Sequence, residues 1–253
     1  MEEDMKVEID IRKTIEQNAA YYYEKAKKAK RKIQGAEEAL KKTEKKLLTI
    51  KPEKKKELKE AVTKKKKWYE KFRWFVSSEG FLCIGGRDAT TNDILVKKHT
   101  QKGDLIFHTE IIGSPFFIIK SEGKKIGKKT IEEAAQATAS YSRAWKHGIT
   151  VTEVYYIKPE QVKKELGLPK GTFMIHGKRN YLKPVLQLAI GKKDDIIIGG
   201  PITAIRKHAQ KYFIIDQGQT KTSDMAKTIK AKLGGELEEI QGFLPPGKGK
   251  VKT

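Results

Sequence analysis

Apolar residues recur at spacings of three and four from the front of the chain: Ile11, Ile15, Ala19, Tyr22, Ala26, Ala29, Ile33, Ala36, Leu40, Thr43 and Leu47. A seam held over that many repeats predicts a long helix with a coiled-coil face. Four of its positions are alanine, which lets a partner backbone come close. Lys51-Pro52 breaks the pattern, and proline suits the first turn of a following helix. The spacing resumes at Leu58, Ala61, Lys65, Trp68, Phe72 and Phe75. Two such helices across so short a break predict an antiparallel hairpin. At 1.5 Å per residue the first reaches roughly 60 Å, so its first half, with Tyr21, Tyr22 and Tyr23, overhangs its partner.

From Ser77 the texture changes to short β-rich runs bounded by glycine. "FLCIG", "DLIFH", "PFFIIK", "TVTEVYYIK" and "GTFMIHG" read as strands. "DATTNDILVKKH" reads as a helix capped by Asp88, and Thr130 with Glu133 as a capping box opening a second helix that ends near Gly148. Ala134, Ala135, Ala137 and Ala139 give that helix a close-packing face, and "PEQVKKELG" reads as a short helix. Beyond Lys183 come "LQLAI", a "GKKD" hairpin turn, "DIIIGG", the helix "PITAIRKHAQK", the strand "YFIID", the helix "SDMAKTIKAKLG" and the loop "FLPPGKGK". The expectation is an α+β protein: a coiled-coil hairpin over 1–76, a mixed α/β domain over 77–199 and a small α+β lobe over 200–253.

Charge changes the picture most. Hydrophobic residues make up 38% of the 253 and charged ones 34%, with a formal net charge of +22. A surplus of that size concentrates polyanions, nucleic acid first and an anionic membrane surface second. A thermophile's abundance of Lys and Glu predicts paired charges instead. Residues 1–76 alone hold 24 Lys and Arg against 14 Asp and Glu. Lys28 and Lys32 on the first helix and Lys64, Lys65, Lys66 and Lys67 on the second are therefore candidate arm contacts to RNA backbone. Cys83 is the single cysteine, between Leu82 and Ile84, which excludes an intrachain disulfide and suits a buried, inert thiol. The acidic first residues carry no signal peptide and no apolar stretch reaches spanning length, so the expected location is cytoplasmic.

Catalytic chemistry is poorly served. "IGGRDATTN" fits neither a Walker A loop nor G-x-G-x-x-G, and Asp88 puts negative charge where a phosphate would sit. His99, His108, His147, His176 and His208 show no metal-ligand spacing, so no metal and no cofactor are expected. Binding is better served. Arg87, Asn92, Lys97 and Lys98 lie on or beside the helix that Asp88 opens. Arg143, Trp145 and Lys146 share about one and a half helical turns, with Trp145 core by default. His176, Lys178, Arg179, Asn180 and Tyr181 follow a strand, and cations beside aromatics suit a base with its phosphate. Two rivals stand: a metal-dependent nuclease on Asp88, Asp104, His108 and Glu110, and a protein-interaction scaffold using the arm.

"GRDATTNDILVKK", "DLIFHTEIIGSPFFIIK", "EEAAQATASYSRAW" and "GTFMIHGKRNYL", in that order, resemble the NFACT-R domain of the NFACT family of ribosome-associated quality-control factors, its archaeal branch in particular. The segment from Ile9 to Leu40 is similar to the family's middle coiled coil. His176 stands where the family often has Arg or Tyr, and "HTE" at His108–Glu110 replaces a frequent "HAD". The resemblance implies binding to the large ribosomal subunit carrying stalled peptidyl-tRNA, contact with tRNA or rRNA, and support of template-free tailing of the nascent chain. The ribosome would make the bonds, so no enzyme activity and no small-molecule cofactor are expected here. The family's NFACT-N domain and helix-hairpin-helix segment are not legible in the sequence, so the chain resembles a C-terminal fragment or an abbreviated member.

Overall fold

The computed structural model describes residues 8–48 and 67–252. The chain divides into two units, Met1–Lys66 and Lys67–Thr253.

In the first unit, helix α1 runs over Ile15–Leu48. It begins where Thr14 and Gln17 exchange backbone-to-side-chain hydrogen bonds, the reciprocal cap that satisfies free N-terminal donors. Asn18 folds the preceding turn onto it, accepting from the Asp10 amide at 3.0 Å and donating to the Asp10 and Thr14 carbonyls. The seam residues Ile15, Ile33 and Leu40 are exposed, so the apolar stripe has no partner among the described residues. Leu58, Ala61 and Lys65 of the second seam lie outside the described residues, as do Lys64 and Lys66. Phe72 and Phe75 do not extend that seam. They enter the second unit, where Arg73–Val76 is strand β1, so the expected boundary at residue 76 falls inside a sheet.

Among its described residues the second unit holds two larger antiparallel sheets and a two-stranded ribbon. Strands β1, β2 (Leu82–Gly85), β3 (Leu105–Thr109), β4 (Phe117–Ile119), β5 (Val154–Ile157) and β8 (Asn180–Leu182) line up as β1-β2-β4-β3-β5-β8. Successive side chains of a strand face opposite ways, and both faces of this sheet are covered. Phe75, Cys83, Phe107, Phe117 and Ile119 go to one side, with the buried alanines Ala134, Ala135, Ala137 and Ala139 of helix α3 (Lys128–Ser140). Ile84, Ile106, Ile118 and Ile157 go to the other, with Phe72 and with Leu95 of helix α2 (Ala89–Lys98). Each large apolar side chain so buried contributes about 1.5–3 kcal/mol.

A second sheet, β10-β9-β11-β12, is formed by β9 (Leu188–Lys193), β10 (Ile196–Gly200), β11 (Lys211–Thr220) and β12 (Gly249–Lys252). It shares the first core through Leu188, Ile190, Ile197 and Ile215. Helices α5 (Ile202–His208), α6 (Thr222–Leu233) and α7 (Leu237–Phe243) accompany it. The expected seam near residue 200 is thus displaced: this sheet begins at Leu188, and residues 67–253 form one unit. The β9–β10 hairpin turns at Asp194-Asp195, both at positive φ, the backbone that a two-residue turn between twisted strands requires.

Three local expectations change. Glu79 caps α3, accepting from the Thr130 amide and hydroxyl at 2.9 and 2.6 Å, while Glu133 accepts from the Ser78 amide and Thr203 hydroxyl. The Thr130–Glu133 capping box is therefore replaced by partners distant in sequence. That helix stops at Ser140, and Ser142 restarts a four-residue turn, α4 (Arg143–Lys146). "PEQVKKELG" gives only a turn at Pro159–Gln161, followed by the ribbon β6 (Val162–Lys163) with β7 (Met174–Ile175).

Candidate nucleic-acid interface

A cleft of about 770 Å³ opens on the second unit where β1, β2, α4 and the loops at 110–115 and 170–173 meet. Six cations line it, Arg73, Arg87, Arg143, Lys146, Lys170 and Arg179, against the carboxylates of Asp88 and Glu110. Strand pairing sets the first two side by side. Arg73 stands opposite Gly85, and Arg87 follows that glycine by two residues. Arg73 lies over the buried Tyr141 ring at 4.1 Å and donates to the Gly242 and Leu244 carbonyls. Burial lowers its pKa, and the neighbouring charge of Arg87 lowers it further. Arg87 donates to the Phe72 carbonyl at 3.1 Å. Ser142 accepts from the Ala144 amide and turns the chain, so that Arg143 and Lys146, three apart on one face of α4, both line the cleft. Gly113, at φ +81, has only hydrogen facing Arg143; a Cβ there would lie 2.5 Å from its Nε.

The carboxylates offset only part of this charge: Glu110 pairs with Arg179, and the charge of Lys170 adds to the lowering of the Asp88 pKa. Asp88 caps α2, and the Thr91 amide bond to its side chain is the main cause of its lowered pKa. Glu110 pairs with Arg179, whose guanidinium covers the Tyr155 ring at 4.8 Å. Among the described residues, none of Arg73, Arg87, Arg143, Lys146 and Lys170 is ion-paired.

At the same cleft His108 stacks on Phe116, ring centroids 4.2 Å apart, and its Nδ1 is 3.4 Å from the Tyr155 hydroxyl. Burial pushes its pKa from 6.5 down to about 4. A histidine kept neutral in the fold binds fewer protons than in the unfolded chain, so stability rises with pH through that interval. The chain is therefore expected to lose stability as pH falls from about 6.5 toward 4, in urea melts, with His108→Gln flattening that limb.

The sequence candidates divide. Arg87, Arg143, Lys146 and Arg179 meet in the cleft. Lys178, Asn180 and Tyr181 line a shallower recess beside β8 with Lys128 and Tyr156, which shares only Arg179 with the cleft. Gln161 straps that segment, donating to the His176 and Lys178 carbonyls at 2.8 and 2.9 Å. His176 lies 3.7 Å from Glu165 and lines neither hollow. Lys98 is exposed away from the cleft, and Lys97 is held by Asp93 at 2.8 Å. Lys28, Lys32 and Lys67 are exposed.

Two candidates are buried, Asn92 within the cleft lining and Trp145 outside it. Trp145 is 2% exposed and donates its indole N–H to the Lys248 carbonyl at 2.9 Å, so no base can stack on it. Asn92 is buried and clamps the cleft wall, donating to the Ser114 carbonyl and accepting from the Phe116 amide. Arg73 and Lys170 escaped sequence reasoning: Arg73 sat within the seam assigned to the second helix, and Lys170 in a loop with no pattern around it. Among the described residues no three His, Cys, Asp or Glu side chains gather where they could hold a metal ion, and no helix is long and apolar enough to cross a membrane. Cys83 is fully buried, which raises its pKa.

Residues 71–177 match the family described as NFACT protein RNA binding domain. That range contains five of the six cleft cations, with Arg179 just beyond it. Over 203 residues the chain is 40% identical to the archaeal Rqc2 homolog aRqcH of Methanocaldococcus jannaschii, covering 76% of this chain and 30% of that protein. It is 37% identical over 183 residues to the ribosome quality control complex subunit NEMF of Homo sapiens, covering 66% of this chain and 16% of that protein. The ribosome quality control complex subunit 2 of Schizosaccharomyces pombe is 32% identical over 71% of this chain and 19% of that protein. The chain thus spans less than a third of the length of these relatives. The solved C-terminal part of the fibronectin/fibrinogen-binding protein from Streptococcus suis aligns at 20% identity and a TM-score of 0.42, over 68% of this chain and 76% of that one, a likeness too loose to weigh. Residues 71–177 thus match an NFACT RNA-binding domain that carries most of the cationic cleft, in a chain similar to subunits of ribosome quality control.

Proposed function

We propose that this chain is the RNA-binding part of a ribosome-associated quality-control factor, acting in the cytoplasm, and that the cleft holds the RNA. The observation that carries the reading is the group of five cations around one opening that make no salt bridge among the described residues, with only Lys170 near enough to a carboxylate, Asp88, to lower its pKa. Unneutralised guanidiniums set close together repel one another, and a phosphate relieves that repulsion while taking forked hydrogen bonds. The relatives' names support a ribosomal setting, and within it the finer proposal is engagement of the large subunit with stalled peptidyl-tRNA, in support of template-free tailing of the nascent chain. In this reading the chain binds and positions while the ribosome forms the bonds, so it is no enzyme.

Fluorescence anisotropy of the chain with labelled single-stranded RNA tests this. Log affinity is expected to fall with log salt at a slope of about −0.7 per phosphate contacted, and Arg87→Ala with Arg143→Ala should make the slope shallower by roughly 1.4. Affinity indifferent to salt or to both substitutions would overturn the reading and favour the scaffold, whose support is the exposed seam of α1. RNA incubated with the chain and magnesium or manganese should stay intact.

A further inference from the structure

A turn over residues 67–72 carries the one tryptophan that the fold leaves open. The Glu70 amide donates to the Lys67 carbonyl at 3.0 Å and the Phe72 amide to the Tyr69 carbonyl at 2.9 Å. Trp68 is 48% exposed, whereas Trp145 is buried and Trp74 packs against the core. Its indole lies flat on the His99 ring, centroids 4.5 Å apart and planes 18° from parallel. Tyr69 and Phe72 meet it edge to face at 5.8 and 6.4 Å, which holds the ring in one orientation. His99 is fixed in turn: its amide bonds the Leu95 carbonyl, and its own carbonyl accepts from Lys120 at 2.9 Å. No second ring stacks on Trp68 among the described residues. The arrangement is a rigid aromatic platform with one face unfilled.

Charge around the ring narrows the partner. Lys71 Nζ lies 5.0 Å from the Phe72 ring centroid and Lys67 Nζ 5.8 Å from that of Tyr69. Burial lowers the pKa of His99, and the charges of Lys71, Lys120 and Lys98 lower it further, which places all three near the platform. Lys120 is neutralised by Asp104, but Lys67, Lys71 and Lys98 are exposed and make no salt bridge among the described residues. A protein partner would need a broad apolar core poor in lysine. Across this turn and α2, Trp68 is the sole exposed large apolar side chain, so no such core is present. One flat ring among cations matches instead one base with its flanking phosphates. Bases inside a duplex already have both faces stacked, so only an unstacked base can lie on it. Phe72 ties the platform to the cleft: its ring meets Trp68 and His99, and its carbonyl accepts from Arg87.

We propose that Trp68 is a stacking site for an unstacked base of single-stranded RNA, whose flanking phosphates are taken by Lys67, Lys71 and Lys98. This rests on the reading of the chain as RNA-binding and adds, beside the cleft, the place where a base is gripped.

The test compares, on the whole chain, a labelled oligoadenylate of about 12 nucleotides with an abasic ribose-phosphate strand of the same length and charge. The oligoadenylate is expected to bind roughly tenfold tighter, and Trp68→Ala to erase that margin while leaving the affinity of the abasic strand unchanged. Trp68→Phe should keep part of the margin, since it keeps a ring. In the wild type the oligoadenylate should quench tryptophan emission and the abasic strand should not. That readout needs no variant, so it decides even where Trp68→Ala folds poorly, and a merely structural Trp68 would not move it. Equal binding of the two strands without quenching, or Trp68→Ala weakening both alike, overturns the inference while the RNA-binding reading, tested at Arg87 and Arg143, stands. Failure of both strands to bind overturns both.

Discussion

Trp145→Ala is expected to cost the second unit about 3–5 kcal/mol of stability, the range for emptying a large aromatic from a packed core. The side chain is among the largest fully buried ones, part of the core between the first sheet, α3 and the second sheet. Its indole N–H also bonds Lys248, which starts the run into β12, so one residue joins the α4 turn to the end of the second sheet. Trp145→Phe keeps most of the volume and leaves the Lys248 carbonyl without its donor. A smaller loss of about 1–3 kcal/mol should follow. Urea melts followed by circular dichroism would rank the two. The phenylalanine variant then separates two roles that composition alone confuses. If Trp145 stacked on RNA bases, Trp145→Phe would lower affinity and leave stability nearly unchanged; the buried position predicts the reverse.

The boundary between what the sequence discloses and what it hides follows from whether a residue's partner is local. Asp88 and Thr91 satisfy each other three residues apart, and the helix they open is where the pattern puts it. The alanine face of α3 is buried because four alanines on adjacent turns leave little else to do. Arg87, Arg143, Lys146 and Arg179 are legible as candidates since an arginine or lysine beside glycines and short helices has no core role. Thr130 and Glu133 have the spacing of a capping box, but Glu79, Ser78 and Thr203 reach them from other elements, and no local window contains those partners. Phe72 and Phe75 continue a three-four spacing by coincidence. Phe75 is instead an alternate residue of a strand, facing Cys83 across the β1–β2 pair. That misreading hid Arg73, and with it the pairing of Arg73 and Arg87 that defines one wall of the cleft.

A buried ion pair supplies the other large expected effect. Asp104 is 1% exposed and pairs with Lys120, and it also accepts from the Gln101 and Ser121 amides, each at 2.9 Å. Lys120 spends a second proton on the His99 carbonyl, so the two residues tie the end of α2 to the turns flanking β3 and β4. Asp104→Ala strands an ammonium in the interior together with two amides, and about 3–5 kcal/mol of stability should be lost. Lys120→Met in the same chain removes the stranded charge, so the double variant should recover part of that loss, and the four-membered cycle gives the coupling between them. The same substitution weighs against the nuclease reading. A catalytic Asp104→Ala variant would stay folded and no longer cleave RNA, whereas a carboxylate already bonded by Lys120, the Gln101 and Ser121 amides and the Ser121 hydroxyl should register its removal in the urea midpoint.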